Sequence, residues 1–358
     1  MSHRFTSRAA VAALTSILVL VPAASALACG GLVAPNGTIS LTRTTTLAAY
    51  HRGIEHYVTS FEFAGKGTSE VGSIVPLPGV PTKVVKGGDW TLQRLVQETQ
   101  PQRVAGEALA VTSADAAFFR AEVLLETTIE ALDITVLKGG AVAVGNWARE
   151  HGFFLPPDAP EVLDFYADRS PIFMAARFDA KRAANRGVQR GEGTPIHVVI
   201  PTPNPWVPLR ILSLGRQSGE LVQADVYLLT DREPATLPVA ERPTRDGGEQ
   251  RGLIQEVSAP ASRTLLADLR SDRGMKWLPA RDMWLTYLRV NELAEDLTHD
   301  LAIDASGYGQ PDPVAAGLAP RGADPGVRTV VWFALGTFAV LLAAAAVERR
   351  RALGRVAI

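Results

Sequence analysis

The sequence predicts an α+β domain of largely antiparallel strands with peripheral helices, held outside the cytoplasm and followed by one C-terminal transmembrane helix. Three observations carry this prediction. Between residues 38 and 303, short runs rich in β-branched and aromatic residues alternate with helical patterns bounded by Gly and Pro. An apolar run preceded by basic residues opens the chain, and nineteen uncharged residues from Thr329 to Val347 lie near its end.

At the N-terminus, Arg4 and Arg8 precede the apolar run Ala9 to Val21, and small residues follow as far as Ala26-Leu27-Ala28. This is the three-part plan of a secretory signal, and the run is shorter than the about 20 apolar residues that span a bilayer. Ala26 and Ala28 suit peptidase pockets that take only small side chains, so cleavage is expected between Ala28 and Cys29, with residues 1–28 as signal peptide. Cys29 is the only cysteine. An intramolecular disulfide is therefore excluded, and stability must come from the core. Cys29 reads as an ordinary first residue of the mature chain, with lipid attachment or an exposed thiol as alternatives.

The body of the chain follows. Ile54 to Phe63 and Val71 to Val75 carry strand signals on either side of a turn at Gly65 to Gly67. Asp89 is placed to cap a helix with Leu92, Leu95, Val96 and Thr99 on one face, stopped by Pro101, while residues 102–120 show no clear face. Val123 to Leu137 alternates at Leu132, Ile134 and Val136, and Gly139-Gly140 turns into a helix through Trp147 that ends near Gly152. Asp158 with Glu161 three residues on predicts a capping box for a helix burying Val162, Phe165 and Tyr166. Strands are expected at Ile172 to Phe178, Ile196 to Ile200, Leu209 to Leu214, Val226 to Leu229 and Met283 to Val290. Residues 231–262, broken by Pro234, Pro238, Pro243 and Gly247-Gly248, read as a long exposed loop, with helix resuming around Leu265 to Leu269. Asn291 is expected to open an amphipathic helix with Leu293, Leu297 and Leu301 buried.

These elements make residues 29–303 one extracytoplasmic domain, divisible into two sub-units near residue 155. Gly, Pro and Ala dominate residues 304–328, which read as a stalk. At about 1.5 Å per residue, Thr329 to Val347 comes close to the ~30 Å hydrocarbon thickness. Arg349, Arg350, Arg351 and Arg355 follow it, against Arg328 alone before it, so the basic tail 348–358 is placed in the cytoplasm. Membrane lipid is the partner of this helix, whose Ala339 and Ala343 have the small-xxx-small spacing that seats a second helix.

Residues 29–328 carry 30 Lys and Arg against 36 Asp and Glu, a net charge of −6. Such a domain is a poor nucleic-acid binder. Over the whole chain Arg outnumbers Lys 30 to 6, a bias that a GC-rich genome explains more readily than phosphate or carboxylate recognition does.

The chain resembles the bacterial family called domain of unknown function 2330. The resemblance rests on Ala-Cys-Gly-Gly at 28–31, Val-Pro-Leu-Pro at 75–78, Trp147 through Pro156, Phe173 through Asp179, Pro208-Leu-Arg-Ile211, Leu285 through Arg289 and Asp296 through Leu301, in that order. It implies a secreted or membrane-anchored envelope protein and brings no established activity. Many relatives carry a second cysteine soon after the Gly-Gly pair; here Leu32 and Val33 stand there, so no family disulfide transfers.

The search for chemistry finds no Gly-x-Ser-x-Gly elbow, Walker loop, His-Glu-x-x-His pair or paired-cysteine zinc pattern. Asp296, His299 and Asp300 come nearest a metal set if they share a helix face, but a solvated face shows the same residues. His51 and His56, beside Tyr50 and Tyr57, read as wet-edge strand histidines rather than a pocket. Lys86-Gly87-Gly88-Asp89 lacks phosphate-loop spacing and reads as a turn before a helix. No catalytic, cofactor or metal residue is assigned, and no cofactor is expected. The best binding candidate is the rigid segment Pro201 to Pro208 with Trp206 inside it, which either displays an exposed indole or packs that indole under its own loop, the more ordinary outcome. The expected function is a membrane-anchored, noncatalytic envelope module that binds an envelope protein or cell-surface polymer. An envelope-acting hydrolase of unrecognised type, or a structural subunit of a membrane complex, is the alternative.

Overall fold

The computed structural model describes residues 31–33, 44–60, 71–100, 121–185, 195–244 and 250–321. The expected signal peptide with its Ala28/Cys29 cut, the ambiguous 102–120 stretch, the span Thr329 to Val347 and the tail lie outside these residues. Among the described residues no helix is long and apolar enough to cross a membrane.

The strand signals assemble into three sheets. The largest joins β2 (Thr44–His51), β3 (Ile54–Ser60), β5 (Lys83–Lys86), β9 (Pro195–Pro201), β11 (Leu221–Thr230), β13 (Gly252–Pro260) and β14 (Trp284–Leu293). Its order is β13-β14-β11-β2-β3-β9-β5, antiparallel throughout except for the β2–β11 pair. A second, antiparallel sheet runs β1 (Gly31–Val33), β4 (Val71–Pro76), β8 (Ile172–Phe178), β7 (Leu132–Lys138), β6 (Glu122–Ile129). The third is small: β10 (Trp206–Val207), β15 (Leu301–Asp304) and β12 (Ala235–Leu237). Helices α1 (Thr91–Thr99), α2 (Ala141–Glu150), α3 (Ala159–Ala167), α4 (Ala180–Asn185) and α5 (Arg263–Ser271) complete an α+β architecture.

The central strands are covered on both faces. Ala48, Tyr57, Val226 and Leu228 point into a core shared with Ile74, Ile134, Val136 and Met174 of the second sheet and with Val144, Trp147 and Val162 of α2 and α3. The alternating residues Leu47, Ala49, Val58, Tyr227 and Leu229 pack instead against Leu92 and Leu95 of α1 and Leu265, Leu266 and Leu269 of α5. Strands buried on both faces lose the apolar-polar alternation that marks a half-buried strand.

Several expectations are corrected. Chain segments on either side of residue 155 interleave, since β4 pairs β8 and β3 pairs β9, so no sub-unit boundary falls there. The expected strand Leu209 to Leu214 is a 3-10 turn, Arg210–Ser213. The amides of Leu209 and Arg210 donate to the Asp300 carboxylate, at 2.8 and 3.0 Å, rather than to a neighbouring strand. The expected exposed loop 231–262 contains β12 and β13, because β14 and β15 supply ladders for them. No helix opens at Asn291: β14 continues to Leu293, with Asn291 opposite Gln223 of β11, and Leu301 begins β15. Residues 305–321, assigned to the stalk, pack on the domain: Ala315 and Ala316 are buried, and the Asp300 amide donates to the Ala316 carbonyl.

Capping also differs. The Asp158 carboxylate accepts from the Gly215 amide instead of closing a capping box. At α1 the Asp89 side chain is not the cap; the buried Asp272 carboxylate accepts from the Asp89 and Trp90 amides, each at 3.0 Å, and from the Thr91 hydroxyl at 2.7 Å. A carboxylate of the protein thus occupies the place an anion takes at a helix N-terminus, which removes the phosphate-loop reading of Lys86 to Asp89. Gly88 makes room for it, since a Cβ there would strike Thr91 and Asp272. Gly88→Ala is therefore expected to lower stability by about 1–3 kcal/mol, measured by urea unfolding, while an unchanged midpoint would show that Asp272 moves away without cost.

Candidate functional site

The site is built at one end of the large sheet by a tight hairpin. Arg52 and Gly53, with φ of 51° and 80°, turn β2 into β3 and set Tyr50 directly opposite Glu55. Directly opposed residues project from the same face of a sheet. Thr230 pairs with Tyr50, which carries the chain on to Asp231 at the same end, where its carboxylate lies 2.6 Å from His51 Nδ1. Beyond β9, Pro203, Asn204 and Pro205 lead into β10, and beyond β15, Ala305 to Asp312 fold back beside them. These four segments, far apart in sequence, enclose a cleft of about 270 Å³ lined by Tyr50, Arg52, Asn204, Asp231, Asp304 and Asp312 among others.

Its polar groups are held in place. The Tyr50 hydroxyl donates to the Thr202 carbonyl at 2.9 Å. Asp304 accepts from the Ser306 and Gln310 amides at 2.7 and 2.9 Å; burial works against its ionisation, but these hydrogen bonds hold its carboxyl below the ordinary range. Asp312 accepts from Asn204 Nδ2 at 3.1 Å and from the Val314 amide at 2.9 Å. Burial raises the Tyr50 phenol, and the charges of Glu55, Asp231 and Asp304 raise it further.

Glu55 is the unusual group. It is 0% exposed, with the Trp206 backbone amide directed at its carboxyl. Burial pushes its pKa up to about 8, only partly opposed by the Trp206 backbone amide, so the carboxyl is neutral at pH 7.

Trp206 is packed inward, not displayed. It is 3% exposed, paired through β10 with Ala302 of β15, and its ring stacks on Tyr166 with centroids 5.8 Å apart. The rigid Pro segment does border the cleft, but through Pro203, Asn204 and Pro205, with the indole turned inward. The three residues nearest to a metal set in the sequence, Asp296, His299 and Asp300, are dispersed. Asp300 is fully buried against Arg169 and Tyr166, Asp296 is exposed, and His299 Nε2 is buried without a partner. Among the described residues no group of three or more His, Cys, Asp or Glu is placed to hold a metal.

The two strand histidines part company. His51 joins Asp231 at the cleft, whereas His56 lies on the α1/α5 side, its Nδ1 2.9 Å from His197 Nε2 and its ring parallel to Trp277 at 3.6 Å. Burial, then the neighbouring imidazoles, lowers His56 to about 4 and His197 to about 3, the latter also through Lys83. Sequence reasoning missed Glu55, Asp231, Asp304 and Asp312. The available signal was a carboxylate inside an otherwise apolar strand, Ile54-Glu55-His56-Tyr57-Val58.

Fold and cleft together define a strand-rich α+β domain with a polar cleft at one sheet end. The chain belongs to the bacterial family domain of unknown function 2330, described as uncharacterized protein conserved in bacteria, whose model matches residues 22–281. No curated protein matches the chain. Solved structures that it resembles include baculovirus P35, at 9% identity and a TM-score of 0.32 over 62% of this chain and 75% of that one. The caspase-8/P35 complex is similar at 8% identity and a TM-score of 0.32, over 73% and 90%. Likenesses this distant say nothing of what the chain does.

Proposed function

We propose that the chain is an extracytoplasmic, membrane-anchored module of the bacterial envelope, noncatalytic, that binds an envelope protein or cell-surface polymer through the cleft between Tyr50, Asn204 and Asp304. The observation that carries this reading is the convergence of four distant segments on one concave site whose polar groups are already fixed by internal hydrogen bonds. Preorganised polar groups in a concavity favour binding, because little side-chain freedom is lost when a ligand arrives. The export pattern at residues 1–28, the apolar run Thr329 to Val347 and the Arg-rich tail support the location and orientation.

A photo-crosslinking residue in place of Asn204, exposed at the cleft rim, tests the reading in cells. Discrete adducts are expected there and not from Val142, which is 76% exposed on α2. Equal labelling from both positions, or none from Asn204, would remove the cleft from consideration.

A further inference from the structure

We propose that the cleft binds an exposed segment of a protein embedded in the same membrane, because the chain leaves the domain for its anchor directly beside the cleft and with little length to spare. This rests on the cleft being the ligand site and on Thr329 to Val347 crossing the bilayer, and it names the kind of partner the site meets.

Asp312 belongs to the cleft wall, and the residues after it fold back on themselves. The Ala316 amide donates to the Asp312 carbonyl at 3.1 Å, and the Leu318 and Ala319 amides donate to the Pro313 carbonyl at 2.9 and 3.1 Å. This stretch therefore gains almost no distance, and Ala319 lies against Pro313, one residue from the wall. The fold-back is fixed to the domain by buried Ala315 and Ala316 and by the Asp300 amide, which donates to the Ala316 carbonyl at 2.9 Å. Just beyond it the Arg321 guanidinium donates to the Asp168 carbonyl at 3.4 Å.

Thr329, where the apolar run begins, is ten residues beyond Ala319. Whatever course those residues take, a chain spans at most about 3.3–3.6 Å per residue, so the cleft wall at Asp312 stands within about 40 Å of the bilayer's apolar layer. Points across a domain of this length can lie roughly 45–50 Å further out; the cleft cannot. Its size points the same way. At about 270 Å³ it falls just below the roughly 300–1,000 Å³ of sites that hold small ligands by their own contacts. Anchoring both partners in one bilayer compensates for few contacts, since a short tether holds them at an effective concentration on the order of millimolar. A phospholipid head group is near enough but carries the wrong charge: Asp231, Asp304 and Asp312 against Arg52 repel a phosphate. A loop or tail of a neighbouring integral protein meets both the distance and the charge.

The test lengthens the tether of the full-length chain in cells, with the photo-crosslinking residue in place of Asn204 and the adducts identified by mass spectrometry. Two further forms carry about twenty and about forty Gly/Ser residues inserted after Gly326. At native length the adducts are expected on a protein that itself spans the membrane. Effective concentration falls as tether length to the power of about −3/2, so the same adducts should drop about fivefold in the shorter insertion and about tenfold in the longer. A graded loss marks distance, whereas a misfolded variant loses adducts without regard to length. Adduct yields that hold steady or rise with the longer tethers, or that fall equally in both, overturn the shared-membrane partner. Adducts on a phospholipid or a cell-surface polymer overturn the partner class and leave the cleft standing as a site. No adduct even at native length removes the cleft itself.

Discussion

Asp300→Ala is expected to destabilise the domain by about 3–5 kcal/mol. The Asp300 carboxylate is fully buried and accepts from the Tyr166 hydroxyl at 2.8 Å, Arg169 Nη2 at 2.6 Å and the amides of Leu209 and Arg210. Those donors come from α3, the segment after it and the 3-10 turn, while Asp300 itself precedes β15, so one side chain ties together parts of the chain about 90 to 134 residues apart. Its removal leaves the Arg169 guanidinium buried without a counter-charge, beside the Phe165 and Ala315 carbonyls and the rings of Phe165, Tyr166 and Trp206. An uncompensated buried charge costs more than the pair contributes when intact. The double variant Asp300→Ala/Arg169→Met should therefore recover part of the loss. Urea unfolding of both variants measures this coupling; a single-variant loss below about 1 kcal/mol would contradict the network's role.

A stability plateau between about pH 4.5 and 6.5, falling away on both sides, is the second large effect, because two kinds of buried group oppose one another. His56 and His197 are held neutral down to about 4 and about 3, so the unfolded chain binds more protons than the folded one below pH 6.5, and stability falls as acid is added. Glu55 acts in the other direction. Its folded pKa of about 8 exceeds the ordinary value, so stability falls as pH rises from about 4.5 to about 8 and levels off above that. Each group contributes at most about 1.4 kcal/mol per pH unit inside its window, with less from His56, which is partly open to solvent. Glu292, raised to about 7 by burial and then by Asp296, acts as Glu55 does, so between pH 4.5 and 6.5 the two carboxyls largely offset the two histidines, and above 6.5 the carboxyls act without them. Thermal melts of the wild type across pH 4–9 should show this plateau, and Glu55→Gln should weaken the alkaline fall and let stability rise with pH between 4.5 and 6.5. A wild-type profile that keeps rising to pH 8 would mean that Glu55 is ionised in the folded protein.

Local pattern was informative where neighbours in sequence dictate the answer. The Gly139-Gly140 turn into α2, the strand runs at β3, β4, β8 and β9, and the helix bearing Leu92 and Leu95 all appear as read. The ordered set of short motifs also placed the chain in its family, which the match over residues 22–281 shows. It failed where distant segments supply the partner. Residues 252–260 look like loop until β14 offers a ladder, and the Leu293, Leu297, Leu301 spacing suggests a helix until β11 extends the strand. Whether Trp206 is displayed among its prolines or packed is decided by Tyr166, which receives its ring.

The cleft was illegible for the same reason. Asp231, Asp304 and Asp312 are ordinary polar residues in turn-rich stretches, and nothing near them in sequence relates them to Tyr50 or Asn204. What composition and periodicity establish is the α+β class and the position of the strongly patterned elements, because propensity and turn chemistry act over a few residues. Which carboxylates become caps, which become network centres and which line a cleft depends on the burial and hydrogen-bond donors that meet them. Asp272 at the α1 terminus, Asp300 on Arg169 and Glu55 beside Tyr50 acquire those surroundings only once strands and helices distant in sequence have packed together.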